Sequence, residues 1–223
     1  MTQDDLARDL DLLRRWRAGD RAAGNLLVKR HYAPLRRFLS GKIGDDDARV
    51  IAQDAFLALC ENLDRFEGYS SFRSYLFGIG RWKLIEYIRR HRRGGGTFDP
   101  ARESVTDLKL DARLSSIFGV RQREHWVMLA FRSLPVDEQL LISLKSYKEL
   151  TSREIAEILE IRPSQVEGRL NRARKKLRQS VDRLCRGYGP AHVDGPNLET
   201  CIQEVLTMLM PPDGDGEPES GAR

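Results

Sequence analysis

Residues 150–181 read LTSREIAEILEIRPSQVEGRLNRARKKLRQSV, two helical signals separated by a break of a few residues. Thr151 or Ser152 can cap a short helix whose Glu154 suits the first turn, with Ile155, Ile158 and Leu159 as its buried face. The break falls at Glu160 to Pro163, and Pro163 suits a helix start. Val166, Leu170, Ala173, Leu177, Val181 and Leu184 then keep one apolar stripe along a longer, basic helix. Short helix, tight turn and long basic helix make a helix-turn-helix, whose second helix fits the major groove of DNA. Its outward residues include Arg162, Ser164, Gln165, Glu167, Gly168, Arg169, Asn171, Arg172 and Lys175, a mixture of phosphate-binding charge and base-edge hydrogen bonding.

Upstream, Trp126, Leu129, Ala130 and Leu134, then Leu140, Leu141 and Leu144, recur at helical spacing. Before them GGGTFDPARESVTDLKLD breaks the pattern with three glycines, a proline and mixed charge, which reads as a flexible linker. On its far side FEGYSSFRSYLFGIGRWKLIEYIRRHRR, from Phe66 to Arg93, interleaves aromatics with small residues and ends in arginines that no acid after Glu86 balances. A helix is expected from about Phe72 to Arg93. Nearer the N-terminus, Leu13, Trp16, Leu26, Leu27, Tyr32, Leu35, Phe38 and Leu39 imply two amphipathic helices parted at Gly19-Asp20, with Asp20 a cap for the second. GDDDARVIAQDAFLALCENL opens with acids suited to a helix N-terminus and places Ile51, Ala55, Phe56 and Leu59 on one side. No strand pattern is evident, and two helical domains are expected.

The 223 residues carry 38 basic and 33 acidic side chains, and the basic ones concentrate at Arg81 to Arg93 and Arg169 to Arg178. Localised basic faces on a nearly balanced chain point to a polyanion partner. Cys60, Cys185 and Cys201 are odd in number and far apart, which argues against a disulfide framework and fits a reducing, cytoplasmic setting. No apolar run approaches the roughly 20 residues that span a bilayer. The four histidines are scattered, and no phosphate-binding glycine loop is present, so no catalytic site, cofactor site or small-molecule substrate is expected.

The two regions together resemble the extracytoplasmic-function (ECF) class of bacterial RNA polymerase sigma factors. The residues that carry the resemblance are RFEGYSSFRSYLFGIGR after AQDAF, and LPVDEQLLISLKSYKELTSREIAEILEIRPSQVEGRLNRARKKLR. It spans roughly Leu10 to Leu184. The resemblance implies an all-α chain. Residues 1–93 form region 2, 94–118 a flexible linker, 119–186 region 4, and 187–223 an extension with a short amphipathic helix and an acidic tail.

By the same resemblance the partners are core RNA polymerase and promoter DNA, with an anti-sigma factor as a further candidate. Gln53 and Asp54 would make polar contacts to core polymerase while Phe56 packs inward. The loop Tyr69, Ser70, Ser71 and Phe72 would form a pocket for a base flipped out of the −10 element, with Arg73, Arg81, Trp82, Lys83, Arg89 and Arg90 along the DNA path. Exposed aromatic faces and a basic groove suit an unpaired strand, because stacking accepts any base and arginine holds the backbone. The helix-turn-helix would read the −35 element.

The chain departs from the family pattern at four places. Arg49 and Val50 stand where acidic residues are usual, Trp82 where asparagine is common, Glu160 where a turn glycine is usual, and Glu167 where a basic residue is usual. A glutamate at 167 can accept from cytosine N4, so an altered −35 preference is expected. Glu160 carries a conformational cost if it needs positive φ. Asp99, Glu103, Asp107 and Asp111 give the linker a partly acid character, although a plain tether is the simpler reading. In the extension Leu198, Cys201, Ile202, Val205, Leu206 and Leu209 share a stripe, while Cys185, His192 and Cys201 match no compact zinc spacing. Two other readings remain open: a free-standing helix-turn-helix regulator, and a diverged sigma-like protein that acts only by protein interaction.

Overall fold

The computed structural model describes residues 3–91, 98–104, 122–146 and 150–188. The stripe from Leu198 to Leu209, together with Asp107, Asp111 and His192, lies outside them. The first four helices are α1 (Gln3–Arg17), α2 (Arg21–Ile43), α3 (Asp45–Glu61) and α4 (Phe72–His91), with a 3₁₀ turn at Leu63–Arg65. The second group is α5 (Gln122–Arg132), α6 (Val136–Ser146), α7 (Ser152–Leu159), a 3₁₀ turn at Pro163–Gln165 and α8 (Val166–Tyr188). No strand occurs among the described residues, as expected of an all-α chain.

Local chemistry explains the boundaries. Gly19 adopts φ +96°, and Asp20 caps α2 by accepting from the amides of Ala22 and Ala23 at 3.0 and 3.1 Å. Arg15 binds the same carboxylate at 2.7 Å and holds its pKa below the ordinary aspartate value. Asp45, Asp46 and Asp47 fill the first turn of α3, where the helix dipole favours negative charge. Helices α1 and α2 approach so closely that a β-carbon on Gly24 would stand 2.7 Å from the Trp16 ring. Buried Asp9 of α1 meets His31 of α2 at 2.8 Å. Leu27, Leu35, Phe38 and Leu39 of α2 then close on Ala55 and Leu59 of α3 and Leu76, Phe77 and Leu84 of α4, all out of solvent.

In the second domain Thr151 and Glu154 form a reciprocal capping box at the start of α7. Thr151 is therefore the cap, and Ser152 is the first helical residue. Glu160 ends α7 at φ 55°, ψ 43°, the one non-glycine residue with positive φ among those described. A β-branch-free glutamate there costs on the order of 1–2 kcal/mol relative to glycine. The stripe from Val166 through Leu170, Ala173, Leu177 and Val181 is buried against α5, α6 and α7 as its spacing requires.

Part of the stretch expected to be a linker is anchored. Phe98 is buried, and the carbonyls of Glu103 and Pro100 accept from the amides of Val136 and Asp137, both at 2.9 Å. These contacts satisfy two of the amides that the start of α6 leaves without an intrahelical partner. The two domains also pack on each other, α4 against α7 and α2 against α6. That contact decides which surfaces remain available. Among the described residues no helix is long and apolar enough to cross a membrane.

Candidate nucleic-acid interface

The loop between α3 and α4 turns at Gly68, whose φ is +81°. Tyr69 stands out from it at 86% exposure. Ser71 caps α4: its Oγ accepts from the Ser74 amide at 3.1 Å. The same hydroxyl donates to Oε1 of Glu154 at 2.8 Å, across the domain joint. Backbone and hydroxyl bonds to Glu154 hold its carboxyl below the ordinary glutamate pKa against the opposing effect of burial, which is the largest single influence. Tyr69 is free to stack on a base, whereas Ser71 is engaged.

The other residues expected in this surface divide three ways. Phe72 is core, with ring centroids 5.1 Å from His31 and 6.1 Å from Phe66. The expectation that Phe72 lines a base pocket is therefore corrected: an aromatic ring at helix position one of α4 packs under the loop and supports it. Arg73 and Arg81 are also buried, 6% and 9% exposed, instead of lining an open path. The Arg73 guanidinium lies 5.6 Å from the Phe77 ring, and Arg81 reaches Asp137 at 3.1 Å and Glu160 at 3.7 Å, both in the second domain. Trp82 is 55% exposed, with the Lys83 ammonium 4.8 Å from its ring centroid. Arg89 and Arg90 are exposed, and Glu86 pairs with both Lys83 and Arg90.

Between Trp82 and the second domain runs a groove of about 480 Å³. Asn62, Arg65, Ser70, Tyr75 and Ile79 line one wall, and Glu157, Ile158 and Glu160 the other. Burial on that wall raises the pKa of Glu157. An aromatic, half-apolar groove beside exposed cations has the composition an extruded base needs, but α7 forms one side of it.

The recognition helix is in the opposite condition. At 100° per residue Gly168, Asn171, Arg172 and Lys175 fall on the side of α8 facing away from Val166, Leu170 and Ala173; these four and Ser164 in the preceding turn are exposed. A β-carbon on Gly168 would meet nothing within 4 Å, so a backbone or phosphate can approach there. Arg162 is exposed, and its amide donates to Gln165 Oε1 at 3.3 Å. Arg169 is half-buried and lines a smaller pocket of about 280 Å³ with Arg172, Asp137 and Glu138. Glu167 sits on the other flank, where Oε1 accepts from Lys145 at 2.8 Å and from Ser152 at 3.2 Å. The lysine holds its pKa down. This carboxylate braces α8 against α6 and α7 where the sequence suggested a reader of cytosine.

On α3, Gln53 and Asp54 are exposed and Phe56 is buried, as expected. Val50 and Leu57 are exposed on the same side, at 56% and 58%. Positions 50, 53, 54 and 57 follow the one-face spacing of a helix, so an apolar pair brackets the two polar residues. Sequence reading counted Val50 only as a departure and passed over Leu57. It took Glu154 only as a first-turn residue and passed over Asp137 and Lys42, the other groups that join the domains.

Comparison with known proteins finds matches to both domains. Residues 27–94 match sigma-70 region 2, and residues 124–177 match sigma-70, region 4. The ECF RNA polymerase sigma-E factor of Escherichia coli (strain K12) is 28% identical over 184 residues, covering 80% of this chain and 96% of that protein. The ECF RNA polymerase sigma-E factor of Haemophilus influenzae is 24% identical over 182 residues, 79% of this chain and 96% of the relative. Among solved structures, CnrH in complex with the cytosolic domain of CnrY superposes with a TM-score of 0.57 at 28% identity, covering 79% of this chain and 98% of that one.

Proposed function

The chain belongs to the sigma-70 family of RNA polymerase sigma factors, of the extracytoplasmic-function type, and within it we propose that the two domains divide promoter recognition between them. It binds core RNA polymerase and directs transcription to particular promoters. In our reading region 2 captures and melts the −10 element, using Tyr69 and Trp82 as stacking faces and Lys83, Arg89 and Arg90 along the backbone; Arg73 and Arg81 join them only when the second domain moves away. Region 4 reads the −35 element through Arg162, Gln165, Asn171, Arg172 and Lys175. The α3 face formed by Val50, Gln53, Asp54 and Leu57 docks on core polymerase.

The observation that carries this reading is the pairing, in one chain and in this order, of an exposed tyrosine and tryptophan among cations with a bare helix-turn-helix face. Stacking aromatics suit an unpaired strand and the helix suits a duplex. Melted and double-stranded DNA occur side by side at an opening promoter. We assign the protein no catalytic activity of its own and place it in the cytoplasm, where its polymerase works. CnrH is bound by a cytosolic domain of another protein, which supports an anti-sigma factor as a partner here.

The test is transcription in vitro with bacterial core polymerase and a library randomised at both elements. Promoter-specific transcripts with two separated sequence preferences are expected. Core binding without any transcript would leave only the interaction role.

A further inference from the structure

Lys42, near the C-terminus of α2, is fully buried. Its Nζ lies 2.6 Å from the Phe38 carbonyl and 2.8 Å from Oγ of Ser143, and the Phe38 ring is 4.8 Å away. Phe38 belongs to its own helix; Ser143 belongs to α6, in the other domain. No carboxylate pairs with Lys42 among the described residues. A buried ammonium without a counter-ion is expensive, and the usual response is loss of the proton. Burial alone pushes this lysine down to about 7.

We propose that the joint between the two domains is a proton-linked latch, which closes with Lys42 uncharged against Ser143 and, once closed, covers Ser71, Arg73 and Arg81 of the base-capture surface. The covering part rests on the function proposed above; the proton linkage does not. Closing carries α6 onto Lys42 and α7 onto α4 in one movement. The same state leaves the polymerase-facing side of α3 and the outer side of α8 exposed. Core polymerase and duplex DNA can therefore engage before the capture loop is released.

The direction of the pH effect follows from the lowered lysine. The open state, with Lys42 in water, holds its proton up to an ordinary lysine pKa of roughly 10.4. The closed state gives it up near 7, so closure releases a proton across the interval between and becomes more favourable as pH rises. Acidification toward 7 opens the latch. The other charged groups at the joint face partners other than Lys42. On α6, Asp137 meets Arg81, Glu138 meets Lys176 and Lys145 meets Glu167. On α2, Arg36 meets Asp45 and His31 meets Asp9. On α4, Lys83 meets Glu86, and on α7 Glu154 stays ionised to below its ordinary range and Glu160 reaches Arg81.

The experiment uses the full chain with pH-insensitive donor and acceptor dyes on Cys60 and on a cysteine placed at exposed Gln179, after Cys185→Ser and Cys201→Ser. Energy transfer reports the closed fraction without DNA or polymerase. Between pH 7.5 and 9 the closed-to-open ratio is expected to rise about tenfold per pH unit, the slope for one proton released. Lys42→Met fills the same space without a charge, and its ratio is expected to be high and flat. Ser143→Asp supplies a counter-ion, so the charged lysine can stay buried and the slope is expected to fall away while the far-ultraviolet circular dichroism is unchanged. A flat wild-type ratio overturns the proposal, and so does a slope that Lys42→Met retains. Failure of the sigma-factor reading would show in the transcription assay and leave this slope untouched.

Discussion

The two surfaces proposed to meet DNA stand in opposite states. Around the loop of the first domain, Ser71 and Arg81 are turned into a joint with α7 and α6 and Arg73 is buried, while the aromatic rings of Tyr69 and Trp82 protrude. Ser164 in the turn and Gly168, Asn171, Arg172 and Lys175 on α8 are all exposed. Arginine content marks both stretches as polyanion-binding, yet it says nothing about whether the arginines are free. Availability is a property of the domain arrangement, and two elements of the second domain, α6 and α7, set it for the first.

The largest effect that would test this contrast is on Phe72. If Phe72 is core, Phe72→Ala should lower stability by about 3–5 kcal/mol, because a large void opens against His31 and Phe66; chemical denaturation monitored by circular dichroism measures it. A mild loss would return Phe72 to the DNA surface. Next is Asp137→Ala, which leaves Arg81 buried at the joint without its closer carboxylate. The closed state should weaken by roughly 2–4 kcal/mol, and affinity for a single-stranded −10-type oligonucleotide should rise in a fluorescence titration. Unchanged affinity would mean that the joint does not restrict the loop.

Tyr69→Ala is expected to cost roughly 1–3 kcal/mol of single-strand binding while the melting temperature holds, since one exposed ring stacks one base. Its comparison with Phe72 is the sharpest available between neighbours three residues apart. The smallest effect concerns Glu167→Gln. An exposed brace to Lys145 contributes at most about 1 kcal/mol, so selection on a −35 library should return the wild-type preference. A changed base at one position would restore the cytosine contact that the sequence suggested.

Those outcomes also bear on how much the chain discloses in one dimension. The helix-turn-helix was legible because each signal is local: Thr151 and Glu154 are three apart, Pro163 fixes a start, and the stripe from Val166 to Val181 repeats every turn. Asp20 and the acidic start of α3 were legible for the same reason. The joint was not, because Ser71 and Glu154, Arg81 and Asp137, and Lys42 and Ser143 are separated by 83, 56 and 101 positions. Periodicity carries no information about such pairs. Lys42 is a pointed case: within RRFLSGKIGDDD it reads as one more solvated cation, whereas it is buried with its Nζ 2.8 Å from Ser143 of α6. Arg73 and Arg81, expected along an open path, are instead buried.

Glu160 shows how such a joint can be tuned by one residue that touches no DNA. Its left-handed backbone burdens the turn of the helix-turn-helix, while its carboxylate lies 3.7 Å from Arg81 in the other domain. A glycine there would relax the turn and remove the contact, so the second domain alone would become sturdier as the whole chain became readier to open. Variation at this single position could set the resting poise of the protein in either direction and leave both reading surfaces as they are.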